Sequence, residues 1–128
     1  MQREIQIHMT TYVNGEMQEP VREKGIFMEK NGQFLIRFTD SAQVNTSIKL
    51  EKEGVHLFRR STLYSTKLPV RAHAVTKGHM DATPFSIHGK QLTWTVDENG
   101  GRADVEYLLP DLSDERMHFQ IQISFFFL

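Results

Sequence analysis

The chain has 128 residues, 15 Lys and Arg against 16 Asp and Glu, a net charge of −1, and hydrophobic and charged shares of 39% and 24%. That size suits one domain with one core that buries roughly two-thirds of the surface exposed by the unfolded chain. The balance excludes a disordered polyelectrolyte and argues against nucleic acid as a partner, since phosphate binding needs a local excess of Lys and Arg, and the absence of cysteine excludes disulfides, thiolate metal ligands and a cysteine nucleophile.

At the N-terminus, Met1-Gln2-Arg3-Glu4 lacks the apolar run of a signal peptide, so a cytoplasmic protein is expected. Ile5, Ile7, Met9 and Val13 then alternate with Glu4, Gln6, His8 and Thr10, the period of a strand with one buried face. Asn14-Gly15 and Asn31-Gly32 supply the positive φ angles that tight hairpins demand. Between them lies one long strand or two short ones, because Pro20 is tolerated only at an edge, a bulge or a break. Phe34, Ile36 and Phe38 form the next apolar row, followed by Val44, Thr46, Ile48 and Leu50, and after Glu53-Gly54 by Val55 and Leu57.

Leu68, Val70, Ala72 and Ala74 alternate across Lys67 to Val75 with Pro69 among them, and Lys77-Gly78 reads as the next turn. Phe85 and Ile87, then Leu92, Trp94 and Val96, change phase across His88-Gly89-Lys90, which indicates either a glycine bulge or a tight turn. After Asn99-Gly100-Gly101 come Ala103, Val105, Tyr107 and Leu109, stopped by Pro110. Asp111 to Glu115 is too short for more than a turn. The final row, Met117, Phe119, Ile121, Ile123, Phe125 and Phe127, is long enough to pair with the N-terminal strand and close a ring. The closing run Phe125 to Leu128 falls far short of the about 20 residues a membrane-spanning helix needs, so no membrane partner is expected.

No segment repeats with helical period. The expected fold is therefore all-β, an antiparallel up-and-down barrel of about eight to ten strands, with residues 1–128 as a single domain.

The order of paired long strands, an Asn-Gly hairpin, Arg59-Arg60, a basic stretch to Lys77-Gly78, Thr83-Pro84-Phe85 and a strand ending at Thr95 resembles the YwiB-like family of bacterial proteins of unknown function. That resemblance implies a small calycin-like barrel, related in shape to lipocalins, and covers nearly the whole chain. The family's Thr-Pro-aromatic-Gly turn is matched by Thr83, Pro84 and Phe85, while Ser86 stands where glycine is usual. The resemblance implies no reaction and hands over no catalytic residue.

Calycin-type barrels often hold a small hydrophobic ligand, and an interior of this size fits either side chains or one such ligand. The predicted inward rows contain Met9, Phe34, Phe38, Trp94, Met117, Phe119, Phe125 and Phe127, all large, which favours a filled core. If Arg59 keeps the phase of Val55 and Leu57 it points inward, where a charge must be paired or reach the barrel mouth. There it would either clamp a ligand carboxylate or bridge to Glu106 or Asp104. Arg59, Arg71, Phe85 and Trp94 are accordingly the candidate ligand-binding residues, against a structural role for each.

The six histidines show no metal-ligand spacing, so neither a metal nor a cofactor is expected. His8 facing His118 across the closure, and His79 and His88 meeting Asp81, are the combinations that alternation allows. No strained nucleophile elbow or phosphate-cradling glycine loop occurs. A hydrolase or isomerase would have to use a loop carboxylate such as Asp81 or Asp111 beside a histidine, and a non-catalytic role is the expectation. Two readings remain: a barrel that binds a small hydrophobic or amphipathic ligand, or a filled interaction module that works through an outer face or a homodimer seam, for which terminal strands exposing Phe126 and Leu128 are the candidate.

Overall fold

Alternating rows separated by turn residues make strands, and the computed structural model, which describes residues 2–110 and 117–128, contains eleven. They are β1 (Gln2–Val13), β2 (Glu16–Met17), β3 (Val21–Lys30), β4 (Gln33–Thr39), β5 (Asn45–Glu51), β6 (Gly54–Arg60), β7 (Ser65–Arg71), β8 (Val75–Met80), β9 (Thr83–Val96), β10 (Gly100–Leu109) and β11 (Met117–Phe127). Both β2 and β3 pair with β1, in registers that run from Val13↔Glu16 to Gln2↔Met28. They are one hairpin arm broken around Pro20, so the ring has ten strand positions. The turn expected over Asp111 to Glu115 lies outside the described residues.

Every pairing is antiparallel, and β1 pairs with β11 from Ile5↔Phe127 to Val13↔Phe119 to close the ring. The terminal rows thus meet as their lengths foretold. The Asn14-Gly15 and Asn31-Gly32 turns have positive φ at both residues, the conformation that matches the twist of paired strands.

Strand parity sends one row of each strand inward. Ile5, Ile7, Phe27, Ile36, Ile48, Leu50, Val55, Val70, Ile87, Val105, Ile123 and Phe125 are almost wholly buried and belong to one contiguous cluster. Aromatic side chains fill the end carrying the β3–β4, β5–β6 and β9–β10 turns, called the lower end. Phe27 stacks on Phe34 and Phe125 at 5.4 and 5.5 Å and meets Phe127 edge-on, while Arg3 lies 3.8 Å over the Phe127 ring. Trp94 meets Phe34 edge-on at 5.6 Å, and its Nε1–H donates to the Glu51 carbonyl at 2.6 Å.

One seam departs from the expected pattern. Only Thr66↔Met80 and Lys67↔His79 pair β7 with β8, because Pro69 has no N–H to donate and its carbonyl instead accepts from the Thr76 hydroxyl. The strand expected through Val75 ends at Arg71, and His73 turns the chain with φ 55°. Gly89 explains that early stop: a Cβ there would lie 1.8 Å from the Arg71 carbonyl oxygen, and its N–H donates to Ala74 O at 2.9 Å. The phase change around Gly89 is a bulge within β9, whose register against β10 shifts between Val105 and Tyr107. Gly78, expected in a turn, lies inside β8, where a side chain would press on Phe85 and Ile87.

Candidate functional site

The opposite, upper end has a different chemistry. Alternation along β5 and β6 places Thr46 in the row of Ile48 and Leu50, and Arg59 in the row of Val55 and Leu57. Thr46 and Arg59 are direct register partners, Arg59 in turn faces Thr66, and Thr66 faces Met80. One rung therefore carries a hydroxyl, a guanidinium, a second hydroxyl and a thioether into the mouth.

Arg59 keeps its side chain 38% exposed although its Nε is buried, and it stands between Thr46 and Thr66 on the neighbouring strands. Its ion partner is neither Glu106 nor Asp104 but Asp40, in the loop between β4 and β5. That contact is loose: Arg59 Nη2 and Asp40 Oδ2 are 3.9 Å apart, beyond hydrogen-bond reach. The other oxygen, Oδ1, accepts from the Ala42 and Val44 N–H groups at 2.9 and 3.1 Å, so the loop holds Asp40 in place.

Two buried polar atoms have no hydrogen-bond partner among the described residues, Arg59 Nε and Thr46 Oγ1. Natural proteins leave few such groups, since each costs about 1–3 kcal/mol. Here both sit on one rung, on adjacent strands. Tyr107 of β10 completes this end: it is 3% exposed and stacks on Phe119 with centroids 5.2 Å apart. Burial pushes its phenol well above the ordinary tyrosine range, and the nearby Arg59 charge pulls the other way. Met80, 47% exposed, ends β8 on this rung, and Leu63, 88% exposed, stands in the loop between β6 and β7 at the same end.

The four residues singled out from sequence do not converge. Arg59 is at the upper mouth and Phe85 is buried in the interior beside Gly78. Trp94 belongs to the lower plug. Arg71 lies at the outer lower end, where Nη2 meets Glu53 Oε2 at 2.8 Å. The Thr83-Pro84-Phe85 segment opens β9 directly after the Asp81-Ala82 turn, with Phe85 pointing into the core.

His8 faces Ser124 rather than His118, whose Nε2 lies 3.2 Å from Glu106 Oε2. The Asp81 carboxylate caps the Ser65 N–H at 2.9 Å; Asp111 lies outside the described residues. Among the described residues no three His, Asp or Glu side chains gather as metal ligands would, and no helix is long and apolar enough to cross a membrane.

Thr46 and Asp40 escaped the sequence reading. A usable signal for Thr46 existed, a hydroxyl interrupting an apolar row at the strand end level with Arg59. Asp40 had none, because a loop residue has no phase.

A family model described as a domain of unknown function (DUF1934) matches residues 5–123. The crystal structure of YwiB protein from Bacillus subtilis is similar to this one with a TM-score of 0.76 at 16% sequence identity, over 99% of this chain and 93% of that one. Identity that low shows a shared fold. No protein of curated description matches the chain.

Proposed function

Because the chain belongs to the DUF1934 family of domains of unknown function, which supplies no activity to test, we propose from the site alone that it is a non-catalytic binding barrel taking a small amphipathic molecule at its upper mouth. One juxtaposition supports the reading: an inward guanidinium whose buried Nε has no partner among the described residues shares its rung with the exposed Met80, at the end that also carries the exposed Leu63. Such a rim suits a ligand with an oxygen-bearing head and an apolar tail. The ligand sits at the mouth rather than deep inside, since the interior row from Ile5 to Phe125 is already packed with side chains.

A second reading has its own observation. The filled interior, together with Phe126 and Leu128 at 51% and 63% exposure, suits an interaction module that dimerises along the terminal strands. Native mass spectrometry of protein purified from its own cells, followed by denaturing analysis, separates the two. A reproducible small molecule that is lost in an Arg59→Ala variant is the expected result; a bare monomer overturns the binding reading, and a clean ligand-free dimer replaces it with the interaction module.

A further inference from the structure

We infer that the head group taken by the mouth is a carboxylate, held by Arg59 and the Thr46 hydroxyl, and that Asp40 is a built-in competitor for the same guanidinium. The inference rests on the binding reading above and goes on to fix the ligand's chemistry.

The donors define the acceptor. Arg59 Nε carries one N–H, which is buried and has no partner among the described residues, and a guanidinium offers Nε–H and one Nη–H side by side as a two-pronged fork that fits a carboxylate. Thr46 faces Arg59 across the β5–β6 rung, is 1% exposed, and has a hydroxyl without a partner among the described residues. A hydroxyl both donates and accepts, so on its own it selects nothing. Beside the guanidinium its proton supplies a further hydrogen bond to the same anionic head.

Asp40 shows that this position tolerates a carboxylate, and among the described residues none is hydrogen-bonded to Arg59. Its Oδ2 stops 3.9 Å from Arg59 Nη2 because Oδ1 is tethered by the Ala42 and Val44 amides. A free carboxylate has no such tether and closes the distance. One other charge bears on the choice: Glu23 occupies an inward register position on β3, opposite Ile7, and with Asp40 it keeps the mouth from being a positive funnel. Selection therefore comes from the directed fork of Arg59 and not from net charge. The tail then runs over Met80 and Leu63.

The probes are sodium octanoate, 1-octanol and octylammonium chloride, titrated into the whole chain while the Arg59 Nε–H resonance, assigned by its loss in Arg59→Lys, is followed by NMR. Octanoate is expected to shift that resonance and to bind at least tenfold more tightly than the other two. Arg59→Lys keeps the charge, removes the fork and should lose most of that preference. Thr46→Val should weaken octanoate severalfold yet raise the melting temperature, because it removes an unpartnered buried hydroxyl at nearly constant volume. Asp40→Asn retains the Oδ1 acceptor for the loop amides and should tighten octanoate severalfold.

If octanol binds as well as octanoate, the amphipathic site stands and the carboxylate head is wrong. If no octyl compound perturbs the mouth, the binding reading itself falls. A lower melting temperature in Thr46→Val means the hydroxyl serves the fold, and weaker octanoate binding in Asp40→Asn removes Asp40 as a competitor; either result overturns that part of the inference.

Discussion

Tyr107 shows how one buried group ties the mouth to pH. Its phenol is enclosed by the barrel wall and Phe119, and burial raises its pKa above the ordinary value, Arg59 only partly opposing this. The folded state thus holds the phenolic proton more tightly than the unfolded chain does. The associated stabilisation is complete below the unfolded value of about 10 and is lost as pH climbs above it, at about 1.4 kcal/mol per pH unit until the folded phenol ionises. Urea unfolding of wild type and Tyr107→Phe should therefore differ by a constant amount below pH 9, and wild type should fall relative to the variant above pH 10. A difference that stays flat to pH 11 would mean that the hydroxyl reaches solvent. Other tyrosines and lysines titrate in both proteins and cancel in the comparison.

At the level of the strand, face and end are separate questions, and the sequence answered the first far better than the second. Phe27 and Phe126 both lie in strands at the lower end, yet period two sends Phe27 into the aromatic plug and Phe126 outward, where its ring meets His8 edge-on at 6.0 Å. Phe27→Ala should cost about 3–5 kcal/mol as a core truncation, whereas Phe126→Ala should stay within about 0.5 kcal/mol; equal losses in urea unfolding would mean that the phase is misassigned. The same periodicity correctly turned Arg59 inward. It did not show that Arg59 and Trp94 occupy opposite ends, since that depends on strand direction and hence on how many reversals separate them. The reversal at Asp81-Ala82 lacks an Asn-Gly or Gly-Pro signature, and Lys77-Gly78 drew the turn to the wrong place. Gly78 is required for space against Phe85, and composition does not distinguish a glycine kept small from one kept for its dihedrals.

For the molecule as a whole, pairing of β1 with β11 closes the sheet on itself, and the ring is held unevenly. Nine registered pairs join β1 to β11, residues from opposite ends of the chain, while two pairs join neighbours β7 and β8. The sequence made the long closure legible because both terminal rows are strongly apolar and matched in length. It showed Pro69, one cause of the thin seam, but hid the other, a tertiary approach: Gly89 of β9 lies against the Arg71 carbonyl and takes the place of ladder contacts that β8 would otherwise make. A seam with few backbone hydrogen bonds opens at a lower free energy than the global transition. Native-state hydrogen exchange should therefore find amides between Leu68 and Lys77 exchanging through local opening, with weak denaturant dependence. Those of Gln6 to Thr11 and Ile121 to Ser124 should exchange only with global unfolding. Because the seam adjoins the Thr66–Met80 pair, a ligand at the mouth should slow exchange at the upper part of β7 and β8 and leave the lower plug unchanged. Equal protection across both seams would mean that the Gly89 contact substitutes fully for the missing ladder, and the barrel would then behave as one uniformly cooperative ring.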